Sequence, residues 1–375
     1  MSLTFSSICN MIFFNNIIIL VFYFLSKNTK LILKIGVKCF FFLLFLIMIR
    51  FIFPFEFFFT KTIPIKKILP SIYIFIYNTS FSILNKNIYI INILLYIWIC
   101  GLFLKLLKAL FSYIIFHKKI KTYKKVADKK ILDVLNNINS SYKNKISFQI
   151  VYSENIESPF IFDIKSPTII IPHILLSEEY WYYILKHEIA HYYHKDLHYK
   201  FFIELLTIAY WWNPFIYLLK SQFENLLEIN IDLHVTKNLN NSQKLDYLEC
   251  LLQVTQICNK SKNIYAINTF YNTKTIILSQ RITIILQYIR GINPLLQTIT
   301  LTLSSIITFF ICSFCFILEP YSIPAEDQND TFEINDYSAY YLIDNHNGTY
   351  DVFYNSKYIA TVTEIFDSNI KIIKH

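Results

Sequence analysis

"YILKHEIAHYYHKD", residues Tyr183 to Asp196, sets two histidines four apart with a glutamate beside the first. On a helix, His187 and His191 stand one turn apart on one face, so both imidazoles can reach one ion. Glu188 is rotated slightly off that face, where its carboxylate can take a proton from a water acidified toward a pKa of about 7. A catalytic zinc needs a third protein ligand and an open position. His194 and His198 fall on the same predicted helix, and a straight helix rarely brings three ligands onto one ion. The longer pattern that breaks the helix at a glycine is missing, since position 194 is His and 197 is Leu. Glu228, in "FENLLEINIDLHV", fits better. Asp232 follows it by four residues on the same helical face. One carboxylate can bind the ion while the other holds a liganding histidine by its second nitrogen. His234 points elsewhere and reads as structural.

The surrounding chain has a membrane protein's composition: 375 residues, 54% hydrophobic, 18% aromatic and 16% charged. Soluble domains carry about 25% charged residues. Met11–Leu25, Cys39–Phe59, Ile88–Phe116 and Leu295–Leu318 are apolar runs each near the roughly 20 residues a helix needs to cross a bilayer. The first needs to start near Phe5 to be long enough. No cleavable leader is evident, and four retained spans are expected. "HKKIKTYKKVADKK", His117–Lys130, places seven lysines directly after the third run, whereas the tail from Glu319 is acidic. The positive-inside bias then puts residues 117–291 in the cytoplasm and both termini outside. The net charge of +9 is mostly this topology signal rather than a nucleic-acid surface. Seven cysteines, five of them in or near apolar runs, do not read as a disulfide framework.

Three regions follow: residues 1–116 with three spans, a cytoplasmic domain over 117–291, and, after a fourth span at 292–318, a module over 319–375. In the cytoplasmic domain "KISFQIVYS" (Lys145–Ser153) alternates Ile146, Phe148, Ile150 and Tyr152 like a half-buried strand. "SPTIIIP" reads as a second strand, and Thr168–Ile171 is expected to pair with an extended substrate backbone. Ser177 caps a helix expected to run to about Leu197, with Glu178 and Glu179 in its first turn. Strand, strand, helix is an α+β beginning. In the tail, Asn347-Gly348 suggests a type I′ hairpin within three antiparallel strands.

Residues 199–219 are apolar enough to score as another span. A crossing there would put His191 and Glu228 about 30 Å apart. If they share an ion the segment turns back, at Asn213-Pro214, as a hairpin dipping into the membrane or lying on it.

Taken together these residues resemble the BlaR/MecR-type membrane metallopeptidases, bacterial signal transducers that act as antirepressors. The resemblance runs through "RFIFPFEF" (Arg50–Phe57), the third span with Trp98 and Gly101, the catalytic segment, "WWNPFIYLLKSQFENLLEINID" and "LSQRITIILQY" around Arg281. It implies a bacterial cytoplasmic-membrane protein with a zincin-like domain, in which His187, His191 and Glu228 bind zinc and Glu188 is the general base. Asp232 and Asp196 would be supporting acids. It also implies a protein substrate, such as a cytoplasmic DNA-binding repressor or the chain itself, and no direct contact with nucleic acid. The family's basic residue two before Asp196 is His194 here, and a common family glycine is Asp163. Beta-lactam sensors of the family carry a penicillin-binding domain after the fourth span; this tail is smaller and lacks K-T-G, so a beta-lactam signal is not expected to be read by this chain alone. The sequence leaves open a general quality-control protease and a non-catalytic sensor, and leaves the oligomeric state open, a homodimer included.

Overall fold

The computed structural model describes residues 5–54, 60–65, 68–83, 86–154, 156, 158–260 and 268–289, part of 300–320 and most of 340–374. It divides into two compact units, Met1–Glu319 and Pro320–His375.

Among the described residues two helices are long and apolar enough to cross a membrane, α1 (Phe5–Lys27) and α5 (Ile90–Thr122). Between them α2 (Thr29–Ile35) and α3 (Val37–Ile52) form a pair bent by 94°. The bend sits at Gly36, whose φ of 87° needs a residue without a side chain, and whose N–H caps α2 on the Ile32 carbonyl. The run expected to cross at Cys39–Phe59 is therefore a helix that ends at Ile52, and residues 55–59 lie outside the described ones. So does most of the crossing expected at 292–318. The segment from α3 to α5 holds β1 (Lys61–Ile65), α4 (Ile68–Asn78) and a hairpin of β2 (Ser80–Ile83) with β3 (Lys86–Tyr89).

Beyond α5, β4 (Lys124–Lys125) and α6 (Lys129–Ser140) lead into β5 (Gln149–Tyr152), β6 (Phe160–Phe162) and β7 (Thr168–Ile171). The sheet order is β4-β5-β7-β6, with β5 and β7 parallel. The strand expected to be half-buried is shorter and buried on both faces. Ile150, Ile169 and Ile171 join the main core with α6 and the helix after β7, while Val151 and Ile170 pack on Ile120 and Phe116 of α5. A sheet covered on both sides loses its polar alternation. Thr168–Ile171 also cannot take a substrate strand, because β5 and β6 occupy both its edges; β6 carries the outer edge. Asp163, where a glycine was the family's residue, does adopt φ 68°. Its carboxylate compensates by accepting the N–H groups of Ile164 and Lys165 and the hydroxyl of Ser166.

The helix α7 (Glu178–Tyr193) starts where Ser177 accepts the Tyr180 N–H. It ends four residues before the expected Leu197. Lys195 takes a left-handed conformation, φ 62°, and α8 (Asp196–Ala209) begins at once. No glycine marks this turn, so its chemistry was not readable. After α8 the chain reverses through Tyr210–Trp212. Asn213 caps α9 (Pro214–Thr236) by accepting the Phe215 N–H, with Pro214 at its first position. The hairpin tip is held by α1, α3 and α5. Asn213 Nδ2 donates to Asn16 Oδ1 (2.8 Å), Tyr210 to the Phe51 carbonyl (2.8 Å) and Trp98 Nε1 to the Ala209 carbonyl (2.9 Å). Asn16 lies about 16 Å along α1 from its Lys27 end. Two further helices, α10 (Asn241–Lys260) and α11 (Asn268–Ile289), complete the domain.

After β8 (Phe316–Pro320), which pairs with β1, the second unit is a four-stranded sheet. In it β9 (Tyr340–Asp344), β10 (Tyr350–Tyr354) and β11 (Lys357–Val362) are antiparallel, and β12 (Lys371–Lys374) adds parallel to β9. The strand pairing ends at Asp344 and Tyr350, and the expected turn at Asn347-Gly348 falls partly outside the described residues, at Asn347. A tight turn follows Tyr354, where Asn355 takes φ 49°.

Gly101 on α5 sits directly under the Trp211 indole; an added Cβ would lie 2.2 Å from its ring. Gly101→Val should cost about 1–3 kcal/mol by overpacking. Unfolding in detergent micelles, with Trp211→Ala alone and in combination, should show the two changes to be non-additive.

Candidate metal centre

Five helices meet around one cavity of about 380 Å³, and each contributes a side chain for its own reason. The first is α7, whose one-turn spacing puts His187 and His191 side by side, both buried. Their Nε2 atoms are 3.1 Å apart. The second is α9, which presents Glu228, with Oε2 3.3 Å from His187 Nε2 and Oε1 3.4 Å from His191 Nε2. Glu188 is buried on the same cavity wall.

The hydrogen bonds point to Nδ1 as a protonated nitrogen in each ring. Asp196, at the start of α8, lies 2.7 Å from His191 Nδ1 and can only accept, so that nitrogen carries the proton. The left-handed Lys195 is what swings Asp196 back onto the histidine. Tyr247 of α10 donates to Asp232 Oδ1 (2.6 Å) and so accepts from His187 Nδ1 (2.9 Å). In each ring Nε2 is then the nitrogen left to bind a cation, which at His191 means displacing the second proton that the neighbouring carboxylates favour; the two Nε2 atoms face one another and the Glu228 carboxylate. Ligand atoms bonded tetrahedrally at about 2.0–2.1 Å are about 3.3–3.4 Å apart, close to the separations found here. Nitrogen and oxygen donors at these spacings fit a zinc-like cation.

The surrounding charge agrees. Burial pulls the His191 imidazole down, but the Asp196 hydrogen bond and the charges of Glu228 and Glu188 outweigh it and push it up to about 10. Burial raises Glu228, yet Arg281 and the two imidazoles hold it well below the usual carboxylate range. A pocket that favours a proton so strongly favours a divalent cation by the same field.

Of the expected residues, the structure brings His187, Glu188, His191, Glu228, Asp232 and Asp196 together. Asp232 reaches its histidine mainly through Tyr247; the direct separation is 3.4 Å. His194 and His234 pack edge-to-face on each other, ring centres 4.3 Å apart, and His198 is exposed. Two residues of the site were given no role in it by the sequence reading. Tyr247 is one of many tyrosines and carries no local signal. Arg281, on α11, forks onto Asp232 (2.6 and 2.8 Å) and stands 3.2 Å from Glu228. It did carry a signal: the chain has thirty-two lysines and only three arginines, Arg50, Arg281 and Arg290, so an arginine marks a place where lysine would not serve.

The BlaR1 peptidase M56 family model matches residues 42–285, which contain every one of these side chains. The chain is 28% identical over 191 residues to the regulatory protein BlaR1 of Bacillus licheniformis, covering 50% of this chain and 32% of that protein. It is 25% identical over 201 residues to the methicillin resistance mecR1 protein of Staphylococcus aureus (52% and 32%), and 28% over 234 residues to BlaR1 of the same species (60% and 37%). The chain spans about a third of the length of these curated relatives. With the family model covering well over half of its length, this chain belongs to the BlaR1 peptidase M56 family of membrane metallopeptidases.

Proposed function

We propose that the chain is a multi-pass membrane zinc metalloendopeptidase that transduces a signal by cleaving itself, a cytoplasmic DNA-binding repressor, or both. The observation that carries this reading is the three-donor cluster of His187, His191 and Glu228 beside Glu188, in a chain of this family. These three residues would hold zinc, which when bound supplies a Lewis acid for the scissile carbonyl and lowers the pKa of a water. Glu188 takes the proton of the attacking water and delivers it to the leaving amine. The free edge of β6, with Phe160 and Ile161 on the cavity, offers an extended substrate a strand to pair with. Ile184, Leu251 and Val254 give the same cavity an apolar wall suited to an uncharged side chain. Asp196, and Asp232 through Tyr247, keep each imidazole proton away from the donor nitrogen.

The topology belongs to the same proposal. Residues 1–116 cross three times and 292–318 once, the peptidase domain at 117–291 is cytoplasmic, and both termini are outside. The lysine cluster at 117–130 supports this orientation. The sheet of 319–375 is then an extracytoplasmic module. The α8–α9 hairpin is re-entrant, a reading supported by its bonds to Asn16, Phe51 and Trp98 along three apolar helices. Inside it, Lys220 is neutralised by Glu204.

In cells expressing wild type or Glu188→Gln at equal levels, new protein N-termini should appear only with wild type. A few would mark a dedicated switch and many a quality-control protease; identical termini would overturn the peptidase reading. On purified chain, Glu188→Gln should keep one equivalent of zinc and His191→Ala should lose it, measured by metal analysis after dialysis. Asp196→Asn should weaken zinc by about 10–100-fold, measured by chelator competition.

A further inference from the structure

Gln280 and Arg281 are consecutive on α11 yet hold different neighbours. Arg281 fixes the site side: Nε and one terminal nitrogen donate to Asp232, and the other terminal nitrogen reaches Glu228 Oε2. Gln280, buried, fixes the other side. Its Nε2 donates to the Ser26 carbonyl near the end of α1 (2.9 Å), and its Oε1 accepts from Asn225 Nδ2 on α9 (2.9 Å). Ser26, itself fully buried, donates its hydroxyl to Gln222 Oε1 on α9 (3.0 Å). Gln222, Asn225, Glu228 and Asp232 recur at three- and four-residue steps, one stripe of α9. A polar seam thus runs from the Lys27 end of α1 to the donor cluster, with α11 as its second wall.

The chemistry of each link is specific. A planar guanidinium can clamp Asp232 with two parallel bonds and still aim a third nitrogen at Glu228; an ammonium cannot. Glu228 is a flexible side chain whose two oxygens must face two different imidazoles, so what holds it decides how well it serves as a ligand. Gln280 cannot follow a movement of α1 without turning α11 and carrying Arg281 with it.

We propose that Arg281 is a positioning residue that sets Glu228 for metal binding, and that Gln280 makes this setting depend on the position of α1. The proposal rests on the zinc reading above and adds an input to it: displacement of α1 against α9 lowers metal affinity.

The test uses the full chain in phospholipid nanodiscs, with zinc affinity read by competition with a chromogenic chelator and coordination by the visible spectrum of bound cobalt. Arg281→Lys should weaken zinc by about 10–100-fold and change the cobalt spectrum. Gln280→Ala, outside the cavity, should move both in the same direction by a smaller factor. If Arg281→Lys does not fold, Arg281→Gln combined with Asp232→Asn removes the buried charge pair together and carries the same expectation. Wild-type affinity and spectrum in the arginine variants would overturn the positioning role. An unaffected Gln280→Ala beside an affected Arg281→Lys would overturn the coupling to α1. A wild-type chain that binds no zinc would sink the metal reading, and this inference with it.

Discussion

Three carboxylates, those of Asp196, Glu228 and Asp232, are folded against two imidazoles and one guanidinium in the interior between α7, α8, α9, α10 and α11. Burying charge is costly, and removing one member of a buried pair typically costs about 3–5 kcal/mol because its partner is stranded. The arrangement of the domain follows from keeping every member paired. Lys195 accepts a left-handed backbone so that Asp196 can meet His191, and α10 is drawn in by a tyrosine that touches both Asp232 and His187. The same pairing engages three nitrogens of Arg281 and the hydroxyl of Tyr247 with neighbouring side chains, although both residues line the cavity.

How much of this was legible depends on whether the determinant was local. Helical spacing alone brings His187 and His191 together, and the pair Glu228 and Asp232 shares a face for the same reason. The turn at Asn213-Pro214 announces itself through a side-chain cap and a fixed φ. The end of α7 does not, because lysine occupies a position where glycine is the usual sign and the compensation comes from a tertiary bond. The strand reading failed for a related reason: alternation marks one wet face, and α5 covers the face that β5 and β7 would have left wet. Tyr247 and Arg281 lie on helices placed by long-range packing. Nothing near Tyr247 in the chain points to the site; the stretch around Arg281 carried part of the family resemblance, and the scarcity of arginine was a second sign, but neither gave the residue its place.

The α8–α9 hairpin reconciles two demands that compete in the sequence. Residues 199–219 within it are apolar enough to cross a bilayer, yet His191, just before the hairpin, and Glu228, within α9, come together. Turning back at Trp211 and Asn213 satisfies both, and the cost of a polar tip among apolar helices is offset by pairing Asn213 with Asn16.

One feature of that hairpin reaches further. The helix α9 is unbroken from its cap at Asn213 to Thr236, and its axis connects the Asn16 contact with the Glu228 and Asp232 carboxylates over roughly 22–29 Å. A helix is stiff along its axis, so a shift of its buried tip arrives at the carboxylates almost undiminished. On the re-entrant reading, the thickness and lateral pressure of the surrounding lipid act on one end of a rod whose other end carries Glu228 of the donor cluster. The bilayer is then a mechanical effector of the enzyme as well as its solvent.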